Sequence, residues 1–153
     1  MALLLAACGF HLRGMVDMPH WLNDVSITLQ NAHRDLQPLL EKQLHAYHIR
    51  VTNLRSAQYW LIIERDDVHQ QITSISSSTT PRQYELIYTV NFKLQRAKGQ
   101  EILPSTQIII TRQATINSDR ILGSTSEMEL LKREMRREAV IQIIDRLQYT
   151  HDH

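Results

Sequence analysis

The sequence predicts an α/β fold: a two-layer sandwich with a mixed four- to five-stranded sheet and two helices packed on one face. Three observations carry this expectation. A strand, a helix and a second strand follow one another over residues 25–53, the order of a βαβ unit with parallel strands. Three longer runs between residues 59 and 117 alternate apolar and polar residues, the period of strands buried on one side. A helical run over residues 126–147 then closes the domain. Two helices cover only one face of such a sheet, so the other face should be polar.

The elements follow in order. Val25-Ser26-Ile27-Thr28-Leu29 alternates with β-branched enrichment and reads as a half-buried strand. Residues 31–35 are polar and turn-like. Leu36, Leu39, Leu40, Leu44 and Tyr47 then recur at helical spacing, with Pro38 tolerable only in a first turn. A short strand spans residues 49–53. The first long strand begins at Tyr59 and runs to residue 66, or on to about residue 75, before the Ser/Thr-rich loop of residues 70–81. In the second, Tyr84, Leu86, Tyr88, Val90, Phe92 and Leu94 share one side. Glu85, Thr89, Asn91, Lys93 and Gln95 take the other, with Ile87 an apolar exception.

Ala97-Lys98-Gly99-Gln100 reads as a hairpin turn with glycine available for positive φ. The third long strand, over residues 101–117, carries Ile108, Ile110, Ala114 and Ile116 on one side and Thr111, Gln113 and Thr115 on the other. Ser126-Glu127-Met128-Glu129 matches a capping box and sets the expected start of the last helix. Met128, Leu131, Met135, Ala139, Ile143 and Leu147 form its buried stripe, widened by Val140 and Ile144. Residues 149–153 read as a frayed polar tail.

Composition bounds the function. The 153 residues suit one domain with a substantial core, and the formal charge of +1 gives no electrostatic case for nucleic acid. Downstream of the N-terminus no apolar run approaches the 18 or so residues of a membrane-spanning helix. The single cysteine, Cys8, follows Leu5-Ala6-Ala7 directly, the pattern of a bacterial lipobox. In that reading Cys8 carries a thioether-linked diacylglycerol and, after cleavage, an acylated amine. Each buried methylene contributes about 0.8 kcal/mol, so several chains on one cysteine anchor firmly. The other reading is an apolar tail with an incidental thiol. Only seven residues precede Cys8, none of them Lys or Arg, so a signal peptide is expected to begin further upstream. The expected divisions are a signal-peptide remnant at 1–7, a lipidated tether at 8–24, one periplasmic domain at 25–148 and the tail at 149–153.

Cys8-Gly9-Phe10-His11-Leu12-Arg13-Gly14 resembles the start of the mature LptE family, also known as rare lipoprotein B, which opens with Cys-Gly, an aromatic residue, a polar residue, Leu and Arg. Tyr84-Glu85-Leu86-Ile87-Tyr88-Thr89-Val90-Asn91 is similar to a strand of the same family, and the order of elements agrees over nearly the whole chain. The resemblance implies an outer-membrane lipoprotein that plugs and assists assembly of the LptD β-barrel and binds lipopolysaccharide on its way to the outer leaflet. Gly9 in place of aspartate after the cysteine is compatible with transfer to the outer membrane. The family binds lipopolysaccharide through basic residues in loops, although the resemblance places Ser76 and Ser124 at two expected cation positions.

Arg or Lys near loop tips suits phosphate oxygens, which makes Arg82, Arg112 and Arg120 the candidate lipopolysaccharide contacts. Arg82 and Arg120 are expected at the same end of the sheet. No catalytic residue, metal site or cofactor is expected beyond the covalent lipid on Cys8. His45 and His48 stand three apart but lack further ligands, and a histidine near the helix C-terminal carbonyls is the favoured role. Asp66 and Asp67 face opposite sides of a strand and read as solvated. Residues 132–138 are dense in charge, but four glutamates balance their four cations, so they read as a solvated helix face. The rival functions are an adaptor lipoprotein of another intermembrane lipid-transport system and a periplasmic enzyme. The enzyme should show a substrate-sized pocket of convergent ionisable groups.

Overall fold

The computed structural model describes residues 17–74, 82–116 and 121–152. In chain order the elements are β1 (Asp24–Asn31), α1 (Leu36–Ala46), β2 (Arg50–Val51), β3 (Tyr59–Ser74), β4 (Arg82–Arg96), β5 (Glu101–Ile116) and α2 (Ile121–Gln148). The sheet order is β2-β1-β3-β4-β5, with β1 parallel to β2 and β3, and β3, β4 and β5 antiparallel in turn. This is the expected mixed sheet of a two-layer α/β sandwich. β1 pairs with β3 only as far as Arg65, so the remainder of β3 runs on with β4 and β5 as a three-stranded arm. Strands of 15 and 16 residues reach about 50 Å.

Both helices lie on one side. Leu61, Ile63, Leu86, Tyr88, Val90, Phe92, Leu94, Ile108 and Ile110 are buried there against Leu36, Leu40 and Leu44 of α1 and Met135, Ala139, Val140, Ile143, Ile144 and Leu147 of α2. The expected stripe of α2 is therefore the buried one, with Met128 and Leu131 at its partly covered margin. α2 begins at Ile121, five positions before Ser126, so the capping-box pattern sits inside the helix. There the Glu129 carboxylate takes the Lys132 ammonium at 2.9 Å, an i,i+3 pair on a helical surface.

Helix α1 ends in a Schellman motif. The Ile49 N–H donates to the Leu44 carbonyl at 3.0 Å and the His48 N–H to the His45 carbonyl at 3.0 Å, with His48 at φ 61°. His48 thus closes the helix through its backbone in a conformation normally given to glycine. Gly99, at φ 90°, turns the β4–β5 hairpin as expected.

Both ends of the domain differ from expectation. The tether was expected to extend through residue 24, yet Met18 and Leu22 belong to the core and the Trp21 ring lies 5.1 Å from that of Tyr59. The tail is docked as well. Thr150 is buried, and Asp152 accepts hydrogen bonds from the Tyr59 hydroxyl at 2.8 Å and the Arg96 guanidinium at 2.6 Å. These polar residues are ordered by partners far away in sequence, which local polarity does not reveal.

Candidate functional site

The chain directions bring the β3 to β4 and β5 to α2 connections to the tip of the arm, while the β1 to α1 connection, on the same side, leaves the sheet beside Arg65 at the base of the arm. The register sets Arg82 opposite Ile116, at the mouth of both the β3–β4 and β5–α2 connections. Arg120 and Cys8 lie outside the described residues.

Arg112 lies on the last strand, as expected, with an exposed side chain. It pairs in register with Leu86, on the helix-covered side of the sheet, and its guanidinium meets the Glu138 carboxylate of α2. It lies well inside β5 and ties the arm to the helix. The parity of Ile108, Ile110 and Ala114 already assigned Arg112 to that side.

A buried polar cluster stands beneath this end. The fully buried Tyr88 hydroxyl donates to Asp66 Oδ2 at 2.7 Å, while Asp66 Oδ1 accepts the His33 N–H at 2.8 Å. Burial, reinforced by the adjacent carboxylate, pushes the Tyr88 phenol far above its ordinary range. Asp66 was expected to be solvated. A β-bulge between Ile63 and Arg65 changes the parity of β3, so Asp66 falls opposite Val90 on the helix side and Asp67 opposite Thr89 on the open side. On that open side Glu64 takes the Lys93 ammonium at 3.6 Å and accepts a hydrogen bond from Ser105.

Arg136 enters the cluster from α2. Its side chain is 9% exposed, and its guanidinium stands 3.9 Å from Asp35 at the start of α1. Residues 132–138 are therefore not uniformly solvated. The overlooked signal was spacing, because Arg136 lies four residues before Val140 and seven before Ile143, along the buried side of the helix. Asp35 occupies the N-cap position of α1 without a side-chain capping bond, its carboxylate lying near His33 and Arg136.

The uncovered face of the arm carries Thr89, Asn91 and Lys93 of β4 beside Gln107, Thr111 and Gln113 of β5, with Ile87 and Ile109 as its apolar points. Among the described residues no group of three or more His, Cys, Asp and Glu side chains is placed to hold a metal ion, and no helix is long and apolar enough to cross a membrane.

Comparison with known proteins agrees with this architecture. The LptE family model, described as lipopolysaccharide-assembly, matches residues 22–147. The LPS-assembly lipoprotein LptE of Yersinia enterocolitica is 26% identical over 151 residues, covering 97% of this chain and 72% of the relative. The corresponding lipoprotein of Photorhabdus laumondii is 24% identical, covering 98% and 82%. The solution structure of lipoprotein B from Nitrosomonas europaea superposes with a TM-score of 0.74 at 25% identity, covering 95% of this chain and 99% of that one. Rare lipoprotein B from Shewanella oneidensis gives 0.70 at 25% identity, covering 82% and 93%. A mixed sheet with both helices on one side and a family match from Leu22 to Leu147 point the same way: this chain belongs to the LptE family of lipopolysaccharide-assembly lipoproteins.

Proposed function

We propose that this protein is lipid-anchored through Cys8 at the periplasmic side of the outer membrane, plugs and assists assembly of an LptD-type β-barrel, and binds lipopolysaccharide during its insertion into the outer leaflet. The observation that carries this reading is the open face of the β3–β4–β5 arm. One side of the sheet is closed by the helices, while the other presents amide, hydroxyl and charged groups of both signs over strands about 50 Å long. The interior of a large barrel is polar, so a plug needs a wide rigid surface rich in hydrogen-bonding groups. Neither a lone apolar patch nor a reactive cleft is required.

In this role no covalent bond is made or broken. The sheet supplies a preformed template, and cations at its loop end meet the phosphates of lipopolysaccharide. Arg82 and Arg120 are the proposed contacts there. Arg112, engaged by Glu138, acts mainly by holding the arm against α2.

The test is a pull-down of the exported, lipidated protein from detergent-solubilised envelopes, with the tag carried on a flexible linker because the tail is docked. Recovery of a large β-barrel near one-to-one is the expected result. Recovery of the lipoprotein alone, or with an inner-membrane transporter, removes the plug assignment. Charge reversal at Arg82 together with Arg120 should weaken lipopolysaccharide binding while leaving barrel recovery intact.

A further inference from the structure

We propose that the groove between α1 and α2 binds the phosphate-bearing headgroup of a lipid, with Arg133, Arg136 and Arg137 as its anion-binding residues. This names a site for the ligand half of the function proposed above and rests on that reading. The site is separate from the loop-end cations Arg82 and Arg120.

Charge separation across α2 is the first argument. By sequence, the arginines of residues 132–138 are neutralised by neighbouring glutamates. In the fold three of those carboxylates lie on the β5 side, Glu138 at Arg112 and Glu127 and Glu134 in a hollow lined also by Gln113 and Thr115, while Glu129 takes Lys132 and stays beside Arg133 and Arg136. The α1 side of the helix keeps the cations. Two adjoining hollows there, about 190 and 380 Å³, share Leu39 and Arg137. Together they are lined by Lys42, Arg133, Arg136 and Arg137 against Asp35, and the adjoining hollow that shares Asp35, Arg133 and Arg136 adds one further carboxylate, Glu129, on a chain whose net formal charge is only +1. Among the described residues no carboxylate forms an ion pair with Arg133 or Arg137.

Arg136 gives a second, independent argument. Its side chain is more than nine-tenths buried, its only ion pair among the described residues is the 3.9 Å approach to Asp35, and its Nε has no hydrogen-bond partner among them. The Nε is itself enclosed, so an anion in the groove meets Arg136 through the terminal nitrogen that approaches Asp35. Forked arginine donors match the oxygens of a phosphate.

The apolar lining identifies the rest of the ligand. Leu39, Val140 and the half-exposed Ile141 continue the groove away from the arginines, a surface suited to the first methylenes of an acyl chain.

The test is calorimetric titration of the full chain with three probes: purified lipopolysaccharide, the same material enzymatically dephosphorylated, and inorganic phosphate. The expected result is that Arg133→Gln combined with Arg137→Gln weakens lipopolysaccharide binding by about tenfold or more, since each charged hydrogen bond is individually strong. Dephosphorylation should weaken wild-type binding comparably, inorganic phosphate should bind far less tightly, and Lys98→Gln at the opposite end should change nothing. Equal binding by wild type and the double variant overturns the groove alone and leaves the ligand reading standing. No lipopolysaccharide binding by wild type overturns both. Equally tight binding of inorganic phosphate, or competition by a glutamate-rich peptide as effective as the lipid, also removes the assignment.

Discussion

The Tyr59 hydroxyl donates to the Asp152 carboxylate at 2.8 Å, joining two residues 93 positions apart and pinning the segment after α2 beside the first residue of β3. Arg96 reaches the same oxygen at 2.6 Å, so the carboxylate holds β3, β4 and the tail together. Its side chain is only 6% exposed, which makes its replacement costly. Asp152→Ala should lower unfolding free energy by about 2 kcal/mol, the scale of charged hydrogen bonds lost from a buried site. Urea denaturation measures this directly; an unchanged midpoint would show that the tail contributes nothing.

Tyr88 and Asp66 make the corresponding tie at the other end. Tyr88→Phe removes a buried hydroxyl and leaves Asp66 Oδ2 without that donor, so a loss of about 1–2 kcal/mol is expected at neutral pH.

The same pair sets an alkaline limit. A phenol is charged when it loses its proton, and burial raises the Tyr88 folded pKa above the ordinary 10.0. Its contribution is full below pH 10.0 and is lost as pH rises past that value toward the raised folded pKa, because only the unfolded chain releases the proton. Tyr59, also raised by burial, adds in the same direction. Stability of wild type should therefore fall with pH above 10.0, and more shallowly in Tyr88→Phe. Urea midpoints followed from about pH 8 to about pH 11 decide this; identical slopes would exclude Tyr88 as a source.

His48 offers a stabilising change. It occupies the left-handed position of the α1 Schellman motif with a side chain that is exposed. His48→Gly relieves that conformation and should raise stability by about 0.5–1 kcal/mol, less whatever entropy glycine adds to the unfolded chain. A lower melting temperature in the variant would mean that the histidine side chain makes a compensating contact.

The open face of the arm separates folding from partnership. Ile109 is 57% exposed there, so Ile109→Glu should alter the stability of the isolated protein by less than about 0.5 kcal/mol. In envelopes the same substitution should sharply reduce barrel recovery, because a carboxylate would be pressed into the interface. Normal recovery would move the partner to another surface.

Much of the architecture was legible because periodicity is local. Alternation from Tyr84 to Leu94 assigned every core residue of β4, and the spacing of Met135, Ala139, Ile143 and Leu147 identified the buried side of α2. Motif readings travelled less well. The Ser126–Glu129 pattern has the spacing of a helix start yet occurs inside α2. Polarity misread residues 149–153 as a tail, because the partners that bury Thr150 and Asp152 lie far away in sequence.

Residue types and their spacing alone determined the mixed sheet, the two helices on one side, the polar character of the other side and the family resemblance. Hydrophobic burial acts on those periods wherever the chain goes. Tertiary structure decided the rest. One bulge between Ile63 and Arg65 turned Asp66 inward to Tyr88, a change of parity that no count along the strand contains. The packing of α2 between α1 and β5 drew Glu138 to Arg112 and left Arg133 and Arg137 lining the groove. A local balance of charge thereby became a partial separation across a helix, because ion pairs depend on distance in space and not on order in the chain.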